Sequence, residues 1–369
     1  MGWKTGKDCF GMKLRYMDRD TTAAIKGIAL IFMFVHHFFT FPEFLIEGIS
    51  YPWIQTFADL FVEPTKMCVS VFSFLTGYFY IFNRERTLRY AIRKITDLYV
   101  SYWCVYLVIL AVAVTAGCWQ LSLYSFVFEM AAVNTPLMVF CWYVVFYACS
   151  MILLPLLAKQ DAHPVEDGLY LLVLPVVISS VLSGMYLEGF LKKVVLNFAD
   201  WFPVIVSGYL CGKYGVFEKI FDRGFERFRN SFLRILFWLL LVILAVVGRY
   251  WWKHICIGSL VLRSGEYPIR LTADFFLAPA FVYGAARLLQ YMKTTIPMKI
   301  LMKIGKYSLY MWFFHCIFFN ECRNLTQPIL YWLRNPVLVV LWGLILCYIP
   351  SVLLDKPVTC LNKLKNRFL

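Results

Sequence analysis

The sequence predicts an all-α protein, a single bundle of about ten transmembrane helices with both termini on the cytoplasmic side. Three observations carry that reading. Hydrophobic residues make up 61% of the chain and charged residues only 16%, against about a quarter charged in soluble domains. The apolar residues gather into blocks of about twenty, the length a helix needs to cross hydrocarbon. Lysine and arginine collect in alternate connections between those blocks, which fixes an orientation.

Windows of that length place spans at 22–41, 66–83, 97–117, 137–157, 168–187, 200–214, 231–250, 269–290, 301–320 and 336–354. The first is read as an uncleaved helix, because the run from His36 to Glu43 lacks the small residues of a signal cleavage site. Asp20, Thr21 and Thr22 are its N-cap candidates. The sixth window is short and holds Pro203 and Gly208. Pro155, Pro203, Pro279 and Pro350 each mark a place for a kink, which a membrane bundle tolerates when neighbours satisfy the freed carbonyl.

The even-numbered connections are basic: Arg84, Arg86, Arg89, Arg93 and Lys94 after the second span, Lys213, Lys219, Arg223, Arg227 and Arg229 after the sixth, Lys293 and Lys299 after the eighth. With the N-terminal segment 1–21 and the tail 355–369 they belong on the cytoplasmic side, which leaves the lysine- and arginine-poor stretches 42–65 and 118–136 outside. Lys192 and Lys193 run against the pattern and are outnumbered. The net charge of +14 follows from this bias and from attraction to anionic lipid headgroups, so it does not signal nucleic acid as a partner. Connections of at most about 25 residues cannot hold a separate core, so residues 1–369 read as one membrane-embedded domain whose site is built from helices and these loops. The chain shows no internal repeat, unlike many secondary transporters.

The twelve cysteines contain no C-x-x-C pair and mostly sit in apolar runs, where cysteine behaves as a small hydrophobe, so no metal site is expected. Cys118, Cys256 and Cys322 fall in outward stretches and are open to bridging, with no pairing fixed by sequence. Asn324-Leu325-Thr326 is a glycosylation sequon in an outward loop, a pattern too short to carry weight.

Ionisable groups inside hydrocarbon are costly and mark candidate sites. Lys26 and His37 stand eleven residues apart in the first span. At about 100° per residue they share one helix face, separated by about 16 Å along the axis. A neutral imidazole at such a place can take a proton from a hydroxyl, which makes His37 a general-base candidate. His36, one step round the helix, is expected to point to another helix. Further intramembrane polar groups are Thr76, Asp274, Lys306, Ser308 and His315. Thr76 beside Gly77 suits close helix packing, and Asp274 is placed to pair with Arg270 one turn earlier. Tyr102 and Trp142 read most simply as interface or core aromatics.

The run from Ile25 to His37 resembles the opening helix of the acyltransferase-3 family of membrane acyltransferases, a basic residue, ten intervening residues, then histidine. Further stretches are similar to that family in order: Phe72-Ser73-Phe74-Leu75-Thr76-Gly77-Tyr78; Ile92-Arg93-Lys94-Ile95 followed by Tyr99-Val100-Ser101-Tyr102-Trp103; Trp142-Tyr143 with Leu153-Leu154-Pro155-Leu156-Leu157; and the run from Gly305 to His315. The chain departs where the family usually has arginine (Lys26), serine (Thr76) and often an acidic residue (Ala23). Lysine keeps the charge and loses the planar fork that grips phosphate or carboxylate at two points.

The resemblance implies transfer of an acyl group, commonly acetyl, from cytosolic acyl-coenzyme A to a hydroxyl of a surface polysaccharide or lipid-linked saccharide, at a bacterial plasma membrane. Acyl-coenzyme A is then a co-substrate, with no bound cofactor and no metal. On this reading His37 and Lys26 are catalytic, Arg89, Arg93 and Lys94 draw in the polyanionic donor, and His315, Thr76, Asp274, Tyr102 and Trp142 support the site. The competing classes are a transporter or flippase for a saccharide or organic anion, and a silent module that organises glycan assembly.

Overall fold

A computed structural model describes residues 17–365 apart from 42–43, 50–51, 84, 134, 159–162, 185–187, 218, 220–230 and 257–272. The basic residues expected before Met17, at Arg84 and in 220–230, and Arg270, lie outside the described residues. Helices account for the regular structure, and no strand occurs among the described residues. In chain order they are α1 (Arg19–Thr40), α2 (Pro52–Thr65), α3 (Met67–Tyr80), α4 (Leu88–Thr115), α5 (Leu123–Met130), α6 (Trp142–Leu157) and α7 (Pro164–Asp167). A π-helical turn (Gly168–Val173) leads into α8 (Leu174–Gly184), followed by α9 (Gly189–Tyr214), α10 (Ser231–Cys256), α11 (Asp274–Gln290), α12 (Ile296–Phe314), α13 (Arg323–Tyr331) and α14 (Pro336–Lys365).

Five stretches are long and apolar enough to cross a membrane: Arg19–Thr40, Leu88–Thr115, Gly189–Tyr214, Ser231–Trp251 and Pro336–Lys365. The chain is therefore a multi-pass, all-α membrane protein. Each of the ten sequence windows overlaps a described helix, and the others are shorter or broken. The expected short sixth span is in fact the 26-residue α9, which begins at Gly189 and takes in Lys192 and Lys193.

Helix α1 forms the centre, packed on α2, α3, α11, α12 and α14. Its N-cap is Asp18, earlier than the sequence candidates, because the Asp18 carboxylate accepts the Thr21 amide at 2.7 Å. Lys293 bridges the same carboxylate at 2.8 Å, joining the start of α1 to the turn between α11 and α12. Two pairs of helices meet backbone to backbone at glycines. A Cβ on Gly305 would strike the Ala23 carbonyl across α12 and α1, and one on Gly77 would strike the Ile205 carbonyl across α3 and α9. The latter bears out the close approach read from Thr76-Gly77. At the periphery α10 keeps an apolar, lipid-type face with Phe232, Leu240 and Leu244 exposed.

The bundle has one basic end, where α1, α4 and α12 begin and α3, α9, α11 and α14 finish, marked by Arg86, Arg89, Arg93, Lys94, Lys213 and Lys293. The predicted tail is not a separate segment there. It continues α14 to Lys365, whose ammonium bonds Asp97 and Thr96 on α4.

Both stretches read as outer loops contain helix. Residues 52–65 form α2, nearly continuous with α3 across Lys66. Residues 118–136 turn back along α4 as α5. The Tyr102 hydroxyl and the Trp103 indole each donate at 2.8 Å to carbonyls of Glu129 and Met130, so the end of α5 reaches the middle of α4. The sequon Asn324–Thr326 lies within α13, with the Thr326 hydroxyl bonded to the Ile317 carbonyl. Of the outward cysteines, Cys118 and Cys322 meet as free thiols, and the side chain of Cys256 is outside what is described.

Candidate functional site

A cavity of about 970 Å³ opens inside the bundle, at the upper end of the range for small-molecule sites. Lys26 and His37 both line it, as their shared face on α1 requires. Helical rise puts His37 about 16 Å further from the basic end than Lys26. Near the basic end the wall also contains Tyr80, Tyr90, Lys94, Asp97 and, from α14, Asn362. Thr76, Tyr143, Trp142 and Trp312 line the middle.

His37 sits near the C-terminal end of α1, and His315 sits where α12 gives way to a 3₁₀ turn (His315–Phe318). The two imidazoles lie edge to edge and nearly coplanar, centroids 4.9 Å apart with 14° between planes, and Nδ1 of His37 lies 2.7 Å from Nε2 of His315. Nδ1 of His315 faces the Trp312 carbonyl, which accepts hydrogen bonds and cannot donate. For neutral rings the protons are then assigned. His315 donates from Nδ1 to Trp312, its Nε2 accepts from the His37 Nδ1–H, and Nε2 of His37 is left with a free lone pair. His315 is fully buried, and of the pair only His37 lines the cavity. The chain Trp312 carbonyl, His315, His37 thus ends in a base directed by the two groups behind it, the logic of an oriented catalytic imidazole.

Phe140 covers one face of His37, 4.1 Å away and 17° from parallel. It is placed from below by the returning α5. The Glu129 carboxylate accepts the Leu137 amide at 2.6 Å, and the Asn320 amide donates to the Leu137 carbonyl at 2.9 Å. Tyr102 holds the Glu129 carbonyl and is itself fully buried, so it acts on the site through this turn and not by lining the cavity.

The remaining predicted residues divide. Thr76 lines the cavity, its hydroxyl donating to the Phe72 carbonyl at 2.8 Å, and the Tyr143 hydroxyl lies beside it and 3.4 Å from the Ser73 hydroxyl. Lys94 lines it too, 3.8 Å from Asp97. Arg93 pairs with Glu85 at 3.3 Å and lines a separate small pocket at the same end, while Arg89 is exposed and lines neither. Asp274 is outside the cavity wall. The Arg249 guanidinium binds it at 2.9 Å and also reaches Glu63 on α2, so among the described residues its salt bridge runs between helices, while Arg270, the expected partner, lies outside them. Lys306 faces outward and pairs with Asp355 at 3.1 Å, whereas Ser308 lines the cavity.

Sequence reasoning sent His36 toward another helix, and the structure places it on the cavity wall with Thr40. The cavity is wide enough at the end of α1 to take both imidazoles. Phe140, Trp312 and Tyr143 were also missed as site residues. Only Trp312 and Tyr143 carried a signal, each lying inside a run already singled out. Lys26 makes no ion pair among the described residues, which leaves its charge facing the cavity.

The sequence profile of the acyltransferase-3 family, described as an acyltransferase domain, matches residues 20–356. No curated protein and no solved structure matches the chain.

Proposed function

Because this chain belongs to the acyltransferase-3 family, we propose that it is a plasma-membrane O-acyltransferase carrying an acyl group, acetyl in the first instance, from acyl-coenzyme A to a saccharide hydroxyl. The observation that carries the reading is the relay from the Trp312 carbonyl through His315 to His37, ending on the wall of a cavity that also holds Lys26. The basic end is the cytoplasmic one. There Lys26 and Lys94 attract the phosphates of the donor, and the thin pantetheine arm runs along the α1 stripe toward His37.

Nε2 of His37 takes the proton of the acceptor hydroxyl while the hydroxyl oxygen attacks the thioester carbonyl. The C–S bond then breaks, and the coenzyme A thiolate leaves with the proton held by His37. With about 16 Å between them, Lys26 holds the donor and does not touch the reacting carbonyl. Its single ammonium grips one phosphate where arginine would grip two oxygens.

Purified protein given acetyl-coenzyme A and glycan acceptors is expected to release free thiol only when an acceptor is present, with release abolished in His37→Ala. A transporter would move saccharide across a vesicle membrane without consuming thioester. That outcome, or full activity in His37→Ala, would overturn the proposal.

A further inference from the structure

Beside the α1 stripe, on the side of α3 and α9, the cavity extends into a chamber lined by Glu63, Lys66, Asn197, Asp200 and Trp201. The topology sets its depth. Lys66 precedes α3, whose fourteen residues run to Tyr80 at the basic end, a distance of about 21 Å. Trp201 lies thirteen residues before Tyr214, the basic end of α9, or about 20 Å. The break between α2 and α3 turns Lys66 inward, and its ammonium stands 6.0 Å from the centre of the Trp201 ring. Among the described residues Lys66 makes no ion pair.

From this geometry we infer that the chamber is the acceptor subsite and that it takes an uncharged sugar ring, a reading that rests on the acyltransferase function proposed above. The indole offers a flat apolar face for the C–H side of a pyranose. The ammonium of Lys66 and the amide of Asn197 donate to hydroxyl oxygens, while the carboxylate of Asp200 accepts from hydroxyl hydrogens. Arg249 takes up the Glu63 charge, so Lys66 and Asp200 leave the chamber with one charge of each sign and no net positive charge to hold a polyanion, and the phosphates of coenzyme A stay at the Lys26 end. A polar wall of this kind also disfavours an acyl chain. Donor and acceptor then reach His37 along different walls of the cavity, and the hydroxyl to be acylated is the one that projects from the chamber to Nε2.

The test uses the full-length enzyme with acetyl-coenzyme A and a panel of p-nitrophenyl hexosides, reading thiol release and acetylated sugar by mass spectrometry. Trp201→Ala and Lys66→Gln are each expected to raise the acceptor KM about tenfold, with the acetyl-coenzyme A KM within twofold of wild type and Trp201→Phe restoring most of the loss. Lys26→Gln is expected to do the reverse, raising the donor KM alone. Trp201 is buried, so if its alanine variant misfolds, Lys66→Gln and Asp200→Asn decide the matter with little change in volume. An unchanged acceptor KM in an active enzyme, or a shift in the donor KM instead, would overturn this assignment alone. Absence of acceptor-dependent thiol release in the wild type would remove the catalytic reading and the subsite with it.

Discussion

Replacing His315 with phenylalanine tests whether the two histidines act as one unit. Phenylalanine keeps the ring volume and the stack against Phe140 and Phe34, whose centroids lie 5.5 and 5.8 Å from His315. It removes the acceptor that sits 2.7 Å from Nδ1 of His37. A buried N–H left without a partner costs about 1–3 kcal/mol, and His37 can escape that cost only by moving its proton to Nε2, where it no longer serves as a base. At 1.36 kcal/mol per decade the expected loss in kcat is about 5- to 150-fold, with both KM values within twofold. His315→Gln, whose side-chain carbonyl can accept the same proton, should recover part of the rate. Removing the base itself in His37→Ala should cost about 10²- to 10⁴-fold, and the double variant should be no slower than His37→Ala, because His315 works only through His37. Thiol release under saturating substrates is the assay. Wild-type kcat in His315→Phe, or losses that multiply in the double variant, would refute the relay.

Three further outcomes follow from the structure. Arg249→Leu strips the guanidinium from the buried Asp274 carboxylate and from Glu63 and should cost about 3–5 kcal/mol, read as a lower Tm in detergent, with Arg249→Leu/Asp274→Leu recovering much of it; a single variant as stable as wild type would contradict the pairing. Burial, helped by the adjacent Cys118, pushes the Cys322 thiol up to about 11. Because the thiolate is the reactive form, alkylation of Cys322 by iodoacetamide should climb about tenfold per pH unit from 7 to 10, and a plateau near pH 9 in peptide mass spectra would count against that environment. Gly305→Ala sets a Cβ against the Ala23 carbonyl one turn from Lys26 and should cost about 1–3 kcal/mol through overpacking; an unchanged Tm would show that α1 and α12 do not meet there.

The sequence made the fold class and the α1 stripe legible because both depend on local periodicity. Lys26 and His37 lie on one helix, so their common face follows from the pitch alone. His315 could be named as a candidate but not joined to His37, since 278 residues separate them and only packing of α12 on α1 brings them together. The basic run after α3 was visible as a cluster, yet clustering does not say which member turns inward: Lys94 does, while Arg93 is drawn off by Glu85. Phe140 and Lys66 fall inside the windows 137–157 and 66–83 yet carried no sign of a site, because each sits at a break between helices where hydropathy averages say least.

Those breaks explain the position of the site. Helix α1 ends at Thr40, α2 stops at Thr65 before Lys66, α6 begins at Trp142, and α12 becomes 3₁₀ at His315. Residues at or beside each of these four points line the cavity or bond to its wall. A helix end leaves backbone carbonyls or amides without intrahelical partners. At membrane depth such groups are tolerated only where protein or a polar cavity receives them. The same four interruptions that would destabilise a plain bundle therefore require a polar chamber at the bundle's middle, and a polar chamber is what lets an imidazole, an ammonium and a carboxylate exist there together. Lengthening α1 past Thr40 or healing the break at Lys66 would return those segments to ordinary spans, and the cavity would have no reason to remain.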